Sequence, residues 1–256
     1  MDLSKISIGL KTFIRDPQLF DAIDGIRTIM PEVQIIVADC GEHTEEKDSL
    51  YAEMVRQGHK TILLDFDAGF GRMSNAIADA LERPYLLIGS DDFDFRPLDV
   101  RRGIEELLAV LENNPEISVA AGRVNNKVYE FNLIDNGAEV LEVPLHQDNV
   151  PFLWFRRVDL AVNYVLVRRS VFSQIRWDDT LIGQGEHLAW YLDLKRAGFK
   201  VVWVRGVNIN EQKLPNTERY RTYRNRALSP ERLCYVKRGI KRVVLGSGYI
   251  DYEEKI

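Results

Sequence analysis

The sequence predicts an α/β fold: a mixed sheet flanked by helices, in a single domain over residues 1–212 with a basic, aromatic C-terminal extension over 213–256 packed on it or closing over it. Three observations carry this expectation. From Ile6 to Ile88 short apolar runs alternate with segments of helical periodicity, which implies parallel strands joined by crossovers. Across 127–160 the pattern breaks into short strand-like pieces separated by turns, which adds mixed or antiparallel pairing. The chain has 256 residues, 45% hydrophobic and 29% charged, enough to bury a sizeable core as one large domain.

Ile6 to Leu10 alternates and reads as the first strand. Asp16-Pro17 opens a helix, with Asp16 as N-cap and Pro17 at the first helical position. Leu19, Phe20, Ile23, Ile26 and Ile29 then recur at helical spacing until Pro31. Val33 to Ala38 is a short apolar run bounded by turn residues, the pattern of a buried strand. A polar surface helix over 44–57 is closed by Gly58, and Thr61 to Leu64 is a third strand. Ser74 to Leu81 is helical, and Tyr85 to Ile88 is a fourth strand after Pro84. Later come a helix over Leu98 to Leu111, strands at Ile117 to Ala121 and Val162 to Val167, a helix from Glu186 to Ala197 capped by Gly198, and a last strand at Val201 to Val204.

The net charge of −5 argues against a surface built for nonspecific nucleic-acid binding, though not against a local basic patch. Two cysteines, Cys40 and Cys234, are too few for a disulfide framework and lack metal-ligand spacing, so a reducing, cytoplasmic location is expected. No run approaches the ~20 apolar residues of a membrane span, and the opening residues lack the pattern of a secretory leader.

In parallel sheets ligands bind beyond the carboxyl ends of the strands. Those ends are Lys11 to Arg15, Asp39 to Gly41, Asp65 to Arg72 and Ser90 to Phe95. In the last, Asp91, Asp92 and Asp94 place three carboxylates within four positions, where they repel unless positive charge stands between them. A hard divalent cation, Mg²⁺ or Mn²⁺, answers that need; an acidic cap cluster for the helix after Pro97 is the alternative. Gly69 and Gly71 allow close backbone approach to a ligand, and Ser74-Asn75 opens a helix whose N-terminus favours anions.

Read together, these segments resemble nucleotide-sugar-dependent glycosyltransferases of the GT-A fold, in the family-2-like and β-1,4-N-acetylgalactosaminyltransferase-like branch. Lys11-Thr12-Phe13-Ile14-Arg15 is similar to the family's opening segment, and Val37-Ala38-Asp39-Cys40-Gly41 to its second strand. Phe66 to Asn75 resembles its glycine- and arginine-bearing helix start, and Ser90-Asp91-Asp92-Phe93 falls where its DxD-type motif lies. The resemblance covers roughly residues 5–212. It implies a nucleotide diphosphate sugar, a UDP-sugar first, as donor, with Thr12, Arg15, Asp39, Asp67, Arg72 and Asp91 around it: Asp39 at the base, Asp91 near the ribose. It also implies a Mn²⁺ or Mg²⁺ at Asp92, with Asp94 and Asn210 as further candidate ligands. Asn210 falls in Val207 to Gln212, a run without the histidine that family members often carry there.

Glycosyl transfer with inversion requires a base for the acceptor hydroxyl. The family supplies it from an acidic dipeptide at a helix start; here that dipeptide is Glu186-His187, which makes Glu186 the candidate base and His187 its partner or replacement. Between Arg219 and Arg242 nine Lys or Arg accompany one acid, Glu231. Within that stretch Arg221 and Arg224 are candidates to close on the donor diphosphate; an anionic acceptor and a solvated tail are the competing readings. A glycan, a lipid-linked sugar or a modified base in DNA are the acceptors considered. A nucleotidyltransferase and an inactive nucleotide-sugar-binding module are the rival functions.

Overall fold

The structure is a computed structural model and describes residues 1–144, 154–180, 186–225, 236–245 and 248–251. The first half is the predicted alternation. β1 (Ile6–Thr12), α1 (Asp16–Ile29), β2 (Gln34–Asp39), α2 (Glu45–Arg56), β3 (Lys60–Leu63), α3 (Phe70–Ala80) and β4 (Tyr85–Ile88) follow one another. β1 pairs in parallel with β2 and β4, and β2 with β3. Every residue of β1 and β2 is buried, which is why these strands are apolar runs: helices cover both faces.

After α4 (Leu98–Asn113) and β5 (Ile117–Val124), β6 (Phe131–Asp135) and β7 (Glu139–Pro144) leave the main sheet as an antiparallel pair. β8 (Phe155–Val158), β9 (Val165–Arg168), α5 (Glu186–Arg196) and β10 (Lys200–Ile209) return to it. α6 (Glu218–Asn225), β11 (Arg242–Leu245) and β12 (Gly248–Asp251) complete the order. The main sheet runs β3-β2-β1-β4-β9-β5-β10-β8, and a second sheet runs β12-β11-β7-β6. β9 is antiparallel to both neighbours, β4 and β5, and β8 at the sheet edge is antiparallel to β10. Alternate residues of one strand feed two cores: Ile35 and Val37 belong to the one that holds Leu19, Ile23 and Leu108, Ile36 and Ala38 to the one that holds Met73, Ile77 and Trp190.

Three elements differ from expectation in ways that matter to the site. α1 is capped by Arg15, not Asp16, and Arg15 makes no capping bond; its side chain turns inward instead. α3 begins at Phe70, four residues ahead of the expected Ser74, because Gly69 at φ 90° takes the N-cap turn that side-chain-bearing residues disfavour. β10 continues to Ile209: its register against β5 breaks between Trp203 and Asn208 and then resumes, which carries the chain on to Asn210–Gln212.

Gly71, at the start of α3, touches the backbone of the loop that precedes α5. A Cβ there would fall inside the Asp178 carbonyl oxygen. Asn75, one turn on, clamps the same loop, donating to the Trp177 carbonyl (2.9 Å) and accepting from the Trp177 N–H (3.0 Å). Gly71→Ala is therefore expected to lower the free energy of urea unfolding by about 1–3 kcal/mol. An unchanged midpoint would show that the 177–180 loop yields freely. Among the described residues no helix is long and apolar enough to cross a membrane.

Candidate active site

The carboxyl ends of β1 and β4 meet at one arginine. Ile14 lies at φ 45°, an unfavourable conformation for a β-branched residue, and this turn out of β1 directs Arg15 back across the sheet end. Its guanidinium is forked by Asp91, with Nη2 donating to Oδ1 and Nε to Oδ2 at 3.3 Å, while Nη1 donates to Asp92 Oδ2 at 2.6 Å. Arg15 is 7% exposed and Asp91 0%. The other Asp92 oxygen accepts from the Ser90 hydroxyl. Burial pushes the Asp91 carboxyl up to about 6; Arg15 opposes the rise and the Asp92 charge adds to it. Burial also works against the Arg15 charge, but Asp91 and Asp92 outweigh it and hold the guanidinium above its ordinary range. The cluster thus sets one guanidinium between two carboxyl groups.

The segment after β10 is laid along this loop. The Gln212 N–H donates to the Asp92 carbonyl (2.6 Å), and its side-chain amide donates to the carbonyls of Gln18, Asp91 and Phe93 (3.0, 3.2 and 3.1 Å). The Asp94 N–H donates to the Asn210 carbonyl at 2.8 Å. Gln212 is a residue that sequence reasoning passed over; its only signal is its place just past the last core strand.

Beside the acidic loop lies a cleft of about 240 Å³, lined among others by Lys11, Arg15, Asp92, Asn163, His187 and Arg224. α6 closes one side. Tyr220, 5% exposed, lies under the Arg15 guanidinium at 4.5 Å, and Tyr223 meets Phe13 and Phe66 edge-on at 5.1 and 5.8 Å. Arg219 anchors the helix to Glu42 at 2.6 and 2.8 Å. Lys11 Nζ and the Arg224 guanidinium both approach the Phe70 ring, at 5.6 and 5.7 Å.

The structure thus brings Arg15, Asp91, Asp92, His187 and Arg224 to one place. Other expected residues lie differently. Thr12 is buried at the end of β1. Asp39 is 1% exposed, and its carboxylate is taken by the Gly41 N–H (2.7 Å), the Tyr51 hydroxyl (2.7 Å) and Lys47 (3.1 Å), so it is not open to a nucleobase in this arrangement. Burial first, and the Asp39 charge next, raise the Tyr51 pKa, keeping it a phenol that donates. Asp67, at φ 61°, lines a small aromatic crevice with Phe13, Phe70 and Tyr223. Arg72 and Arg221 are exposed and do not line the cleft. Trp177 is a core residue stacked on Trp190 at 5.0 Å, and Trp154 is exposed. Glu186 begins α5, but its side chain lies outside the described residues.

The expected metal ligands do not form a ligand set. Both Asp92 oxygens are engaged, Asp94 Oδ1 accepts from the Arg96 N–H (3.1 Å), and Asn210 Oδ1 accepts from the Asn208 amide (3.2 Å). Among the described residues no three His, Cys, Asp or Glu are grouped to hold a metal ion. The charge that the acidic loop requires comes from Arg15, a residue distant in sequence. That guanidinium has all three nitrogens bonded to the two carboxylates and one face on Tyr220, at the edge of the cleft.

No family model matches the chain. It is 28% identical over 200 residues to β-1,4 N-acetylgalactosaminyltransferase 1 of Homo sapiens, covering 73% of this chain and 35% of that protein. It is 30% identical over 129 residues to β-1,4 N-acetylgalactosaminyltransferase 2 of Mus musculus, covering 50% of this chain and 23% of that one. The chain thus spans about a third, or less, of the length of these relatives. Among solved structures, S. aureus TarS in complex with UDP-GlcNAc aligns with a TM-score of 0.61 at 11% identity, over 91% of this chain and 66% of that one. The mannosyltransferase PcManGT from Pyrobaculum calidifontis, in complex with GDP-Man and Mn²⁺, aligns at 0.59 with 10% identity, over 91% and 64%. The chain has the fold of the GT-A glycosyltransferases, and its sequence is similar to that of the β-1,4-N-acetylgalactosaminyltransferases.

Proposed function

We propose that the protein transfers a sugar from a nucleotide diphosphate sugar, a UDP-sugar first among the candidates, to an acceptor hydroxyl with inversion. One observation carries the reading: a cleft at the carboxyl ends of β1 and β4 is lined by cationic side chains, Lys11 and Arg224, together with a candidate base, His187. The acceptor oxygen attacks the anomeric carbon from the side opposite the nucleotide. As the new C–O bond forms, the sugar–phosphate bond breaks and the nucleoside diphosphate leaves. The hydroxyl proton passes to a base at the start of α5. His187 lines the cleft, which favours it for this role, with Glu186 beside it on the same turn. α6, seated over Arg15 and Phe13, supports the reading in which the extension beyond residue 212 closes over the donor.

The test is a thermal-shift panel of UDP-, GDP-, CDP- and dTDP-sugars on the full chain, each in EDTA and in Mn²⁺. The true donor at about 100 times its Kd adds about 2.7 kcal/mol to stability. For a chain of this size that shifts Tm by several degrees, on the order of 5–10 °C. A panel in which no sugar nucleotide moves the transition would sink the proposal.

A further inference from the structure

Asp91 and Asp92, at the end of β4, have all four carboxylate oxygens engaged, while two cations line the same cleft elsewhere. Asp91 is buried and forked by Arg15, and Asp92 is held by Arg15 and Ser90. Asp94 gives one oxygen, Oδ1, to a local backbone bond, and one carboxylate oxygen is not a ligand set. A metal entering here would have to displace a guanidinium that is itself buried, stacked on Tyr220 and bonded through three nitrogens. On the other side, Lys11 comes from the end of β1 and Arg224 from α6, and both approach the ring of Phe70. Phe70 is the first residue of α3, whose N-cap, Gly69, offers no side-chain acceptor to the first-turn N–H groups. Two cationic side chains lining one cleft beside the positive end of a helix dipole suit a multiply charged anion.

We propose that the donor diphosphate is bound without a divalent cation, held by Lys11 and Arg224 at the N-terminus of α3, while Arg15 is the built-in counter-ion of the acidic loop. The inference rests on the nucleotide-sugar reading above and adds to it the source of the positive charge. Lys11, 6% exposed, cannot reach far, so α6 must be seated for both cations to act together.

The experiment is calorimetric titration of the full chain with UDP, GDP, CDP and dTDP, in EDTA and in MnCl₂. The nucleotide that binds is expected to do so with Kd values within about threefold in the two buffers. Lys11→Met and Arg224→Met are each expected to weaken binding in EDTA by about tenfold or more. Arg224 is exposed, so its variant carries the test even if Lys11→Met fails to fold. Binding lost in EDTA and restored by Mn²⁺ would overturn the inference and leave the donor reading standing. Metal-independent binding that Arg224→Met leaves unchanged would overturn the assignment of the clamp. Absence of binding by every nucleotide in both buffers would bring down the donor reading itself, and the inference with it.

Discussion

Arg15→Met is expected to lower the free energy of unfolding by about 3–5 kcal/mol at neutral pH, the range for removing one partner of a buried ion pair. Asp91 has no exposure of its own and takes both of its Arg15 bonds from the side chain that would be lost. Burial already raises its pKa to about 6 with Arg15 present, and without Arg15 the rise is larger. A carboxyl whose folded pKa exceeds its unfolded value binds more protons in the folded state, so its burial penalty is full above the folded pKa. The penalty fades as pH falls toward the unfolded value near 4. The deficit of Arg15→Met should therefore be greatest at and above neutral pH and shrink at pH 4–5. Adding Asp91→Asn, which removes the stranded charge, should return about 2 kcal/mol or more at pH 7. Urea unfolding at several pH values checks all three statements; a loss below about 1 kcal/mol at pH 7 would mean that Asp91 finds another partner.

The second large effect is on turnover. If a base at the start of α5 takes the acceptor proton, His187→Ala or Glu186→Gln should lower kcat by about 10²–10⁴-fold. Nucleotide affinity should stay within about twofold, because the base acts on the acceptor and not on the donor. His187 lines the cleft that also holds Asp92 and Asn163, so the larger loss is expected for His187→Ala. Measuring sugar transfer and nucleotide binding on the same preparations separates the outcomes. A large loss in Glu186→Gln alone assigns the base to Glu186, and two active variants would remove α5 from the chemistry.

Much of this molecule is legible along the chain because its information is local. β1, α1, β2, α2, β3, α3 and β4 are each written in one apolar period, and short parallel crossovers leave little choice in how neighbours pair. The acidic loop is equally visible, since Asp91, Asp92 and Asp94 announce a demand for positive charge in six consecutive residues. Helix starts were harder to place. α3 begins at Phe70 because of a glycine turn rather than a hydrophobic repeat, and the apolar period first shows itself at Met73 and Ile77.

What answers the demand for charge was beyond the sequence. Arg15 reaches Asp91 across 76 positions, and Gln212 straps the same loop across 121. Nothing in the local pattern of either residue distinguishes a buried counter-ion or strap from a surface side chain. The alternation of strands and helices, and the carboxylates gathered at one end of the sheet, are carried by the sequence alone. The tertiary structure alone decided that an arginine neutralises those carboxylates, that Asp39 is enclosed by Tyr51 and Lys47, and that α6 lies over the cleft. The reason is physical: periodicity follows from each segment's own burial, whereas charge pairing depends on which distant side chains the completed sheet brings within about 3 Å of one another.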